Sequence, residues 1–293
     1  MAKAPLRRFP SKASRWRPWV QAAFLAVWLG PFGLRMLNIC GPVYHCYACP
    51  LATFGCPMGT MAQFSAMHLF PFAAVGTLLV VGGLFGGFVC GWACPFGFFQ
   101  DLLAKIPTRK LRLPPWTGHF RYVVLLATVI AIPFFFGKDS PLFICSICPA
   151  GATEASIPAM VRQATAGGWS AIVWPNAIKL TLLGLLIAAV FVKTRPWCTL
   201  LCPLGAIFGT CSRFAVVTMK VDKAACTSCG ACDRMCRYGV RPQKDVNHPL
   251  CIRCLECTRC GAISAGTIFG KPSAGAGDAP PETLADEQGS PAD

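Results

Sequence analysis

The sequence is poor in acidic residues. Through Lys220 it contains only Asp101, Asp139 and Glu154 against nineteen lysines and arginines. Across all 293 residues, charged side chains make up 13% and hydrophobic ones 54%. So few charges argue against an ordinary soluble domain and are typical of a membrane protein. The basic side chains flank apolar segments, where they indicate membrane topology and no nucleic-acid partner.

Several cofactor and catalytic motifs are also lacking. The sequence has no Gly-rich phosphate loop, dinucleotide fingerprint or Ser–His–Asp candidate, so we expect no nucleotide or flavin chemistry. It has no C-x-x-C-H haem attachment, because His45 precedes Cys46 instead of following Cys49. His68 and His119, like His45, lie at predicted span ends, which favours ordinary interfacial histidines over haem ligands. No small-residue cleavage site follows the first apolar run, so no cleavable signal peptide is expected.

Long apolar segments, in contrast, are present and predict four membrane-spanning helices. They run from about Trp19 to Leu37, Leu69 to Val89, Tyr122 to Phe136 (beginning before Arg121) and Trp174 to Val192. Arg35 and Lys179 lie inside these segments, where an ionisable side chain is either functional or snorkels to the interface.

Lysine and arginine are concentrated in residues 1–18, in Phe96–His119 and after the fourth span. Because positively charged loops stay in the cytoplasm, we expect a multi-pass protein of the bacterial inner membrane with both termini cytoplasmic. Its environment is the lipid bilayer.

Cysteine is abundant, with nineteen residues, and eight of them form two runs near the C-terminus. A C-x2-C-x2-C run can wrap three corners of a 4Fe–4S cluster, while the fourth thiolate comes from the other run. A pair of zinc sites is the alternative, although such sites usually use two separated C-x2-C pairs. The spacing predicts two four-cysteine sets: Cys226, Cys229, Cys232 with Cys260, and Cys251, Cys254, Cys257 with Cys236.

This region resembles the bacterial two-cluster ferredoxins, which implies a small α+β domain with two 4Fe–4S clusters. Two features depart from the ferredoxin pattern. Arg237 and Gly261 stand where a proline usually follows the fourth cysteine, and the second run is one residue short before Cys260. The shortened run would affect the cluster that Cys260 completes, either as a three-iron form or as a shifted potential.

Four further cysteine pairs follow the four predicted spans in a repeating order. The pattern of span, C-x2-C-P, span, C-x3-C-P occurs twice, which indicates a parallel internal duplication. Spacing of i and i+4 puts the two thiols of a C-x3-C pair on one helical face. We therefore expect the duplicated pairs to converge into two sites: an inner set of Cys90, Cys94, Cys198 and Cys202, and an outer set of Cys46, Cys49, Cys145 and Cys148.

The inner set is expected to hold a third 4Fe–4S cluster, with structural zinc or unpaired thiols as alternatives. The outer set is expected to hold either a fourth cluster or the disulfides Cys46–Cys49 and Cys145–Cys148, since the outer compartment is oxidising. The remaining cysteines are expected to be small buried hydrophobes, although the one that precedes Pro57 could be a spare ligand. They are Cys40, Cys56 and Cys211.

Paired C-x3-C-P motifs at the ends of membrane helices, followed by a two-cluster module, resemble the membrane-bound polyferredoxins of the NapH, NosR and CcoG type. The resemblance covers about residues 19–265, and the C-x2-C-P pairs are not part of it. It implies an electron-transfer subunit of a quinol dehydrogenase or reductase system. Electrons would pass between a cytoplasmic or quinol donor and a membrane or periplasmic acceptor, so redox partner proteins are expected.

Two other functions stay open from the residues alone. One is a copper reductase or assembly factor for a respiratory complex, and the other is a membrane thiol–disulfide conduit. The predicted fold is an α-helical membrane protein with four transmembrane helices as two duplicated pairs, plus a C-terminal ferredoxin-like domain. Its parts are a basic N-terminus (1–18), a membrane domain (19–220), a two-cluster domain (221–269) and a disordered tail (270–293).

Overall fold

The computed structural model describes residues 12–30, 36–106, 108, 110–111, 114–168 and 173–269. The predicted tail, Arg35 and the first eleven residues of the basic N-terminus lie outside this range. Within it the chain is mostly helical, with two small two-stranded sheets.

The first helix, α1 (Lys12–Trp28), begins within the basic segment and ends earlier than the predicted span. Gly30 follows with a φ of +49°, and Pro31 comes next in the sequence. A left-handed glycine and a proline both stop a helix, because the first reverses the backbone and the second lacks an amide donor. The chain then forms a strand, Met36–Cys40, which pairs in parallel with Phe54–Gly55. The prediction that the first helix reaches Leu37 was therefore wrong.

Three apolar helices correspond to the other predicted spans. Among the described residues, only the helix Trp116–Phe136 is both long and apolar enough to cross a membrane, and it begins before Arg121 as predicted. The helices Phe72–Phe85 and Ala177–Val192 are apolar but shorter. Large apolar side chains on all three point outward, among them Phe72, Phe135 and Leu185.

Four further helices begin with a proline that directly follows a cysteine. Proline suits the first helical position, where its missing amide is not needed. It also holds the preceding cysteine in extended geometry, with ψ between 115° and 124° at all four positions. These helices are α2 (Pro57–Ala66), Pro95–Leu103, Pro149–Gly151 with its continuation Ala152–Ser156 and Ile157–Gly167, and Pro203–Cys211.

The two C-x3-C-P motifs form π-helical turns, Val89–Ala93 and Trp197–Leu201, instead of ordinary helical turns. In each turn the amide of the second cysteine donates to the carbonyl five residues earlier, over 3.1 Å in the first and 2.8 Å in the second. Such turns are rare and concentrate at functional sites. Their occurrence at matching positions shows that the duplication extends to backbone geometry.

The C-terminal cysteine runs lie in a small α+β unit. Its antiparallel strands, Val217–Val221 and Ile263–Thr267, pair from Val217 with Thr267 to Val221 with Ile263. Between them come a short helix, Ala231–Met235, and a 3-10 turn, Glu256–Cys260. The side chains of Met219, Ile263 and Cys232 form its core.

This unit, called the cluster module below, packs directly against the first π-helical turn. Arg253, almost fully buried, donates to the carbonyls of Phe85 (3.1 Å) and Ser212 (2.5 Å). Trp92 Nε1 donates back to the Arg253 carbonyl over 3.0 Å. A Cβ atom on Gly91 would collide with the Ile252 carbonyl, so this close approach requires glycine.

Candidate iron–sulfur sites

In the cluster module, the fourth cysteine of the first run joins the three leading cysteines of the second. Burial raises the pKa of Cys257, and the thiolates of Cys251, Cys254 and Cys236 raise it further. Burial likewise raises the pKa of Cys251 to about 12, with Cys254 and Cys236 adding to the effect. Cys257 is thus influenced by the other three cysteines of the second predicted set and also by Cys232 of the first, and the grouping into two sets stays a prediction.

The first run gains Cys260 in the same way. Burial raises the pKa of Cys232 to about 11, and the Cys260 thiolate raises it further. The pKa of Cys260 is raised by burial and also by the thiolates of Cys229 and Cys226. The shortened second run therefore still places Cys260 beside the first run, because Gly261 adopts a left-handed φ of +75° and turns the chain directly after it.

In these cysteine sets the side chains are farther apart than the ligands of a single metal ion. Among the residues that the structure describes, no three His, Cys, Asp or Glu side chains are close enough to share a single ion. A cubane holds its four thiolates around a body of iron and sulfide.

The thiols of the inner set, Cys90, Cys94, Cys198 and Cys202, influence one another's ionisation. Burial raises the pKa of Cys90, and the thiolates of Cys94 and Cys198 raise it further. Burial and the Cys198 thiolate raise the pKa of Cys94 to about 12. Burial raises the pKa of Cys202, and the other three thiolates of the set raise it further. Each thiolate of this set makes ionisation of the others less favourable. Bound metal cations would offset this repulsion between the thiolates.

Beside this set lies a buried ion-pair network that the sequence analysis missed. Arg195 donates to both oxygens of Asp101, over 2.7 and 2.5 Å, and to the Cys90 carbonyl over 2.7 Å. Arg17 donates to the same carboxylate over 2.5 Å. Burial alone would raise the pKa of Asp101, but Arg195 and Arg17 outweigh it and lower the pKa. Two arginines against one carboxylate leave a positive charge next to the thiols, and Arg195 accordingly lowers the pKa of Cys198 against the effect of burial.

Side chains also bind the backbone and one thiol of the inner set. The Gly91 carbonyl accepts hydrogen bonds from Arg17 Nε and Gln21 Nε2, both over 2.9 Å. Gln100 Nε2 donates to Cys198 Sγ over 3.2 Å, and its Oε1 accepts from the Trp197 amide over 3.2 Å. These contacts fix the π-helical turns in place. In the sequence, the one signal for the network around Asp101 was the rarity of acidic residues, which makes Asp101 stand out.

The outer cysteines line a cavity of about 490 Å³ that opens to the surface. The cysteines on its wall are Cys46, Cys56, Cys145 and Cys148. The structure thus places Cys56 at this cavity and Cys49 elsewhere: Cys49 is buried, and its amide donates to the Cys46 carbonyl over 3.0 Å. None of the cysteines in the described part of the chain forms a disulfide.

The outer thiols also influence one another. Burial and the Cys148 thiolate raise the pKa of Cys46 to about 12, and burial with Cys148 and Cys46 does the same for Cys145. The Cys148 thiol hydrogen-bonds with the Tyr44 hydroxyl over 3.1 Å and accepts from the Gly151 amide over 3.3 Å. Lys179, one of the two intramembrane cations singled out in the sequence, lies on the cavity wall and lowers the pKa of Cys46 and Cys145.

The other candidates have ordinary surroundings. His45 lies on the cavity wall with Nδ1 2.8 Å from the Glu154 carboxylate. His68 packs edge-on against Phe134, and His119 Nδ1 lies 3.0 Å from the Trp116 carbonyl. Cys40 Sγ lies 3.7 Å from the Thr60 hydroxyl, and Cys211 packs against Gly82.

Two stretches of the chain, residues 67–114 and 176–220, match the family model of the 4Fe-4S binding domain. Each stretch contains one C-x3-C-P motif, so the match falls on both halves of the inner set. Each of these stretches is therefore similar to a 4Fe–4S binding domain, which supports iron–sulfur clusters as the cofactor.

Curated relatives extend the similarity. The chain is 28% identical over 306 residues to the ferredoxin-type protein NapH of Haemophilus influenzae, covering 92% of this chain and 96% of NapH. It is 24% identical over 214 residues to the putative electron transport protein YccM of Escherichia coli, covering 68% of this chain and 53% of YccM. The resemblance predicted from the motifs is confirmed: the chain is similar to polyferredoxin-like 4Fe–4S electron-transport proteins.

A protein of Methanocaldococcus jannaschii is 25% identical over 189 residues, which are 61% of this chain and 63% of the relative. The chain therefore spans less than two thirds of this relative and about half of YccM. No solved structure matches the chain.

Proposed function

We propose that this chain is a membrane-bound iron–sulfur electron-transfer protein that connects a cytoplasmic or quinol donor with a membrane or periplasmic acceptor. The observation that carries the proposal is the direct packing of the cluster module on the inner set. The Cys251–Cys254 segment lies against the π-helical turn that contains Cys90, and the hydrogen bond from Trp92 to the Arg253 carbonyl joins the two. The printed names of NapH and YccM, ferredoxin-type and electron transport, support it.

Three cysteine sets would hold 4Fe–4S clusters. Each bound cluster supplies a one-electron carrier whose potential depends on burial and on hydrogen bonds to its sulfurs. The donor chemistry fits, since every set consists of four cysteines, and thiolates are the ligands of 4Fe–4S clusters. The sets are Cys226, Cys229, Cys232 and Cys260; Cys251, Cys254, Cys257 and Cys236; and Cys90, Cys94, Cys198 and Cys202.

The residues around the inner set orient the thiols and keep water away. Cys94 and Cys202 are 6% and 5% exposed, so bulk water has little access to them. The Arg195 guanidinium offsets the negative charge of bound thiolates from a fixed position, because Asp101 and the Cys90 carbonyl hold three of its nitrogens. Gln100 adds a hydrogen bond to Cys198 Sγ, a contact of the type that raises a cluster's potential.

The proposal includes four membrane passes with both termini in the cytoplasm. Apolar side chains cover the outward faces of Phe72–Phe85, Trp116–Phe136 and Ala177–Val192, and α1 would be the fourth pass. Ser14, near the start of α1, lies 3.5 Å from Arg259 of the cluster module. The N-terminal end of the membrane domain and the module are therefore on the same side of the molecule.

Iron and acid-labile sulfide analysis after anaerobic purification tests this proposal. We expect at least about twelve irons per chain, four for each of the three sets. Cys198→Ser should lose about four of them and stop electron transfer from the cluster module to a membrane quinone analogue. The module's EPR signals should remain. Cys211→Ser, a change in the helix that follows Cys202, is the matched control and should retain full iron. Zinc in place of iron, or unchanged electron transfer in Cys198→Ser, would contradict the proposal.

A further inference from the structure

One local motif, C-P-x-G, occurs four times in the membrane domain, and each copy presents its thiol in the same way. The amides of Gly151 and Gly205 donate to Cys148 Sγ and Cys202 Sγ, each over 3.3 Å. Gly97 and Gly59 occupy the same position in the other two copies, and Cys94 and Cys56 have the same extended backbone as Cys148 and Cys202. Three of these four cysteines belong to the inner and outer sets predicted above, and the fourth is Cys56.

Cys49 lacks this motif, although it also precedes a proline. Ala52 stands where the glycine would be, and the segment forms a turn in which the Ala52 amide donates to the Cys49 carbonyl over 3.0 Å. No helix begins at Pro50 in the described structure, whereas α2 begins at Pro57. By backbone geometry, the counterpart of Cys148 in the first half of the duplication is therefore Cys56.

The glycines of the two outer motifs confirm this correspondence, because each faces a cysteine of the other half. A Cβ atom on Gly59 would lie 3.3 Å from Cys145 Sγ. A Cβ atom on Gly151 would lie 3.6 Å from Cys46 Sγ. This reciprocal arrangement is what pseudo-twofold symmetry produces, with Cys46 and Cys145 as one related pair and Cys56 and Cys148 as the other.

We propose that Cys46, Cys56, Cys145 and Cys148 bind a fourth 4Fe–4S cluster and that Cys49 is not a ligand. All four thiols line the same cavity. Its volume of about 490 Å³ is far larger than a single ion needs, given that one water occupies about 30 Å³ in the liquid. The inference extends the proposed function, since it adds one cluster to the three above.

The charges around the cavity suit a negatively charged cluster. Lys179 extends from the helix Ala177–Val192, and its Nζ would lie 3.5 Å from a Cβ atom on Gly151. The amide of Gly151 donates to the sulfur of Cys148. The one carboxylate at this site, Glu154, is held by the Cys46 amide over 2.8 Å and by the neighbouring His45.

Tyr44 connects this cavity with the inner set. Its hydroxyl hydrogen-bonds with Cys148 over 3.1 Å, and its carbonyl lies 4.0 Å from Cys94 Sγ. Its ring packs against Phe96 and Trp197, with both centroids 6.0 Å away. Tyr44 thus contacts one cysteine of the inner set and one outer cysteine. The fourth cluster is therefore adjacent to the cluster of the inner set.

The experiment compares iron and sulfide in the full-length protein, purified anaerobically in detergent, with Cys56→Ser and Cys49→Ser. We expect about sixteen irons in the unchanged protein and in Cys49→Ser, and about twelve in Cys56→Ser. A loss in Cys49→Ser with none in Cys56→Ser would overturn the ligand assignment. About twelve irons in all three proteins, with or without bound copper or zinc, would overturn the fourth cluster and leave the other three. Fewer than about twelve irons in the unchanged protein would contradict the proposed function itself.

A measurement on the unchanged protein covers the case in which Cys56→Ser does not fold. N-ethylmaleimide is added under native anaerobic conditions, before and after iron removal with a chelator, and modified cysteines are located by mass spectrometry. Because the cavity is open, we expect Cys56 and Cys145 to be protected in the iron-loaded protein and modified after iron removal. Modification of either cysteine in the iron-loaded protein, or recovery of the outer cysteines as disulfides, would overturn the proposal.

Discussion

The inner and outer cysteine sets share one local motif but differ in their surroundings. Both use C-P-x-G segments whose glycine amide points at a thiol. The inner set is closed in by Arg195, Asp101 and Gln100, and the cluster module covers its first π-helical turn. The outer set lines an open cavity with Lys179 on its wall. The inner set is thus enclosed by protein, whereas the outer set is accessible from the surface.

The largest expected effect comes from removing the carboxylate beside the inner set. Asp101→Ala leaves the buried Arg195 without its counter-charge, which we expect to lower the free energy of unfolding by about 3–5 kcal/mol. Thermal unfolding in detergent, followed by tryptophan fluorescence, should show a transition roughly 6–20 °C lower.

Glu256→Ala is the matched control for Asp101→Ala. Glu256 pairs with Arg259 over 3.2 Å, but the arginine side chain is 48% exposed. Such a surface pair contributes about 0–1 kcal/mol, so the transition should move by only a few degrees. Equal shifts in the two variants would show that the ion-pair network beside the inner set stabilises the protein no more than a surface ion pair does.

The second prediction separates the module from the inner set. Arg253→Leu leaves the carbonyls of Phe85, Val217 and Ser212 without their donor, at a cost of about 1–3 kcal/mol for each buried group that stays unsatisfied. We expect the module to detach, so that limited proteolysis cuts between the membrane domain and the module. Its own iron should remain. Arg241→Leu, at an exposed position of the same module, should resist the protease like the unchanged protein. Equal cleavage of both variants would contradict the docking role of Arg253.

Local patterns predicted much of this architecture. The spacing of the C-terminal runs predicts which cysteines would share a cluster, because a C-x2-C-x2-C loop leaves few choices for the fourth ligand. The apolar segments predicted three of the helices. The end of α1 was missed, since a run of apolar residues outweighed the stop signal of Gly30 and Pro31.

Contacts between distant parts of the chain could not be predicted. Arg195 and Asp101 are 94 residues apart in sequence, and no local sequence pattern around either residue predicts their ion pair. The assignment of Cys49 to the outer set followed the nearest C-x2-C pair, while the signal that favours Cys56 was the glycine three residues later. That glycine matters only through its amide and through a contact with the other half of the molecule.

A third prediction tests whether the outer glycines are needed for space. Gly59→Val puts a branched side chain at a position where even a Cβ atom lies 3.3 Å from Cys145 Sγ, so overpacking of about 1–3 kcal/mol is expected. The protein should lose the iron of the outer set and keep that of the other three. Gly184→Val is the control, because nothing lies within 4 Å of its added Cβ atom. Loss of inner-set iron in Gly59→Val would show that the two sets do not assemble independently.

The smallest expected effect concerns the charge at the outer cavity. Lys179→Met removes the positive charge that lowers the pKa of Cys46 and Cys145. An interaction of about 1 kcal/mol corresponds to about 40 mV in a one-electron couple. Because reduction adds negative charge, we expect the midpoint potential of the outer cluster to become more negative by about that amount in a redox titration followed by EPR. The inner potential should stay unchanged, since Arg195 supplies the charge there. Lys105→Met, an exposed position near the cluster module, should shift no outer potential. A shift of the inner potential in Lys179→Met, with the outer one unmoved, would reverse the assignment of the two charges to the two sets.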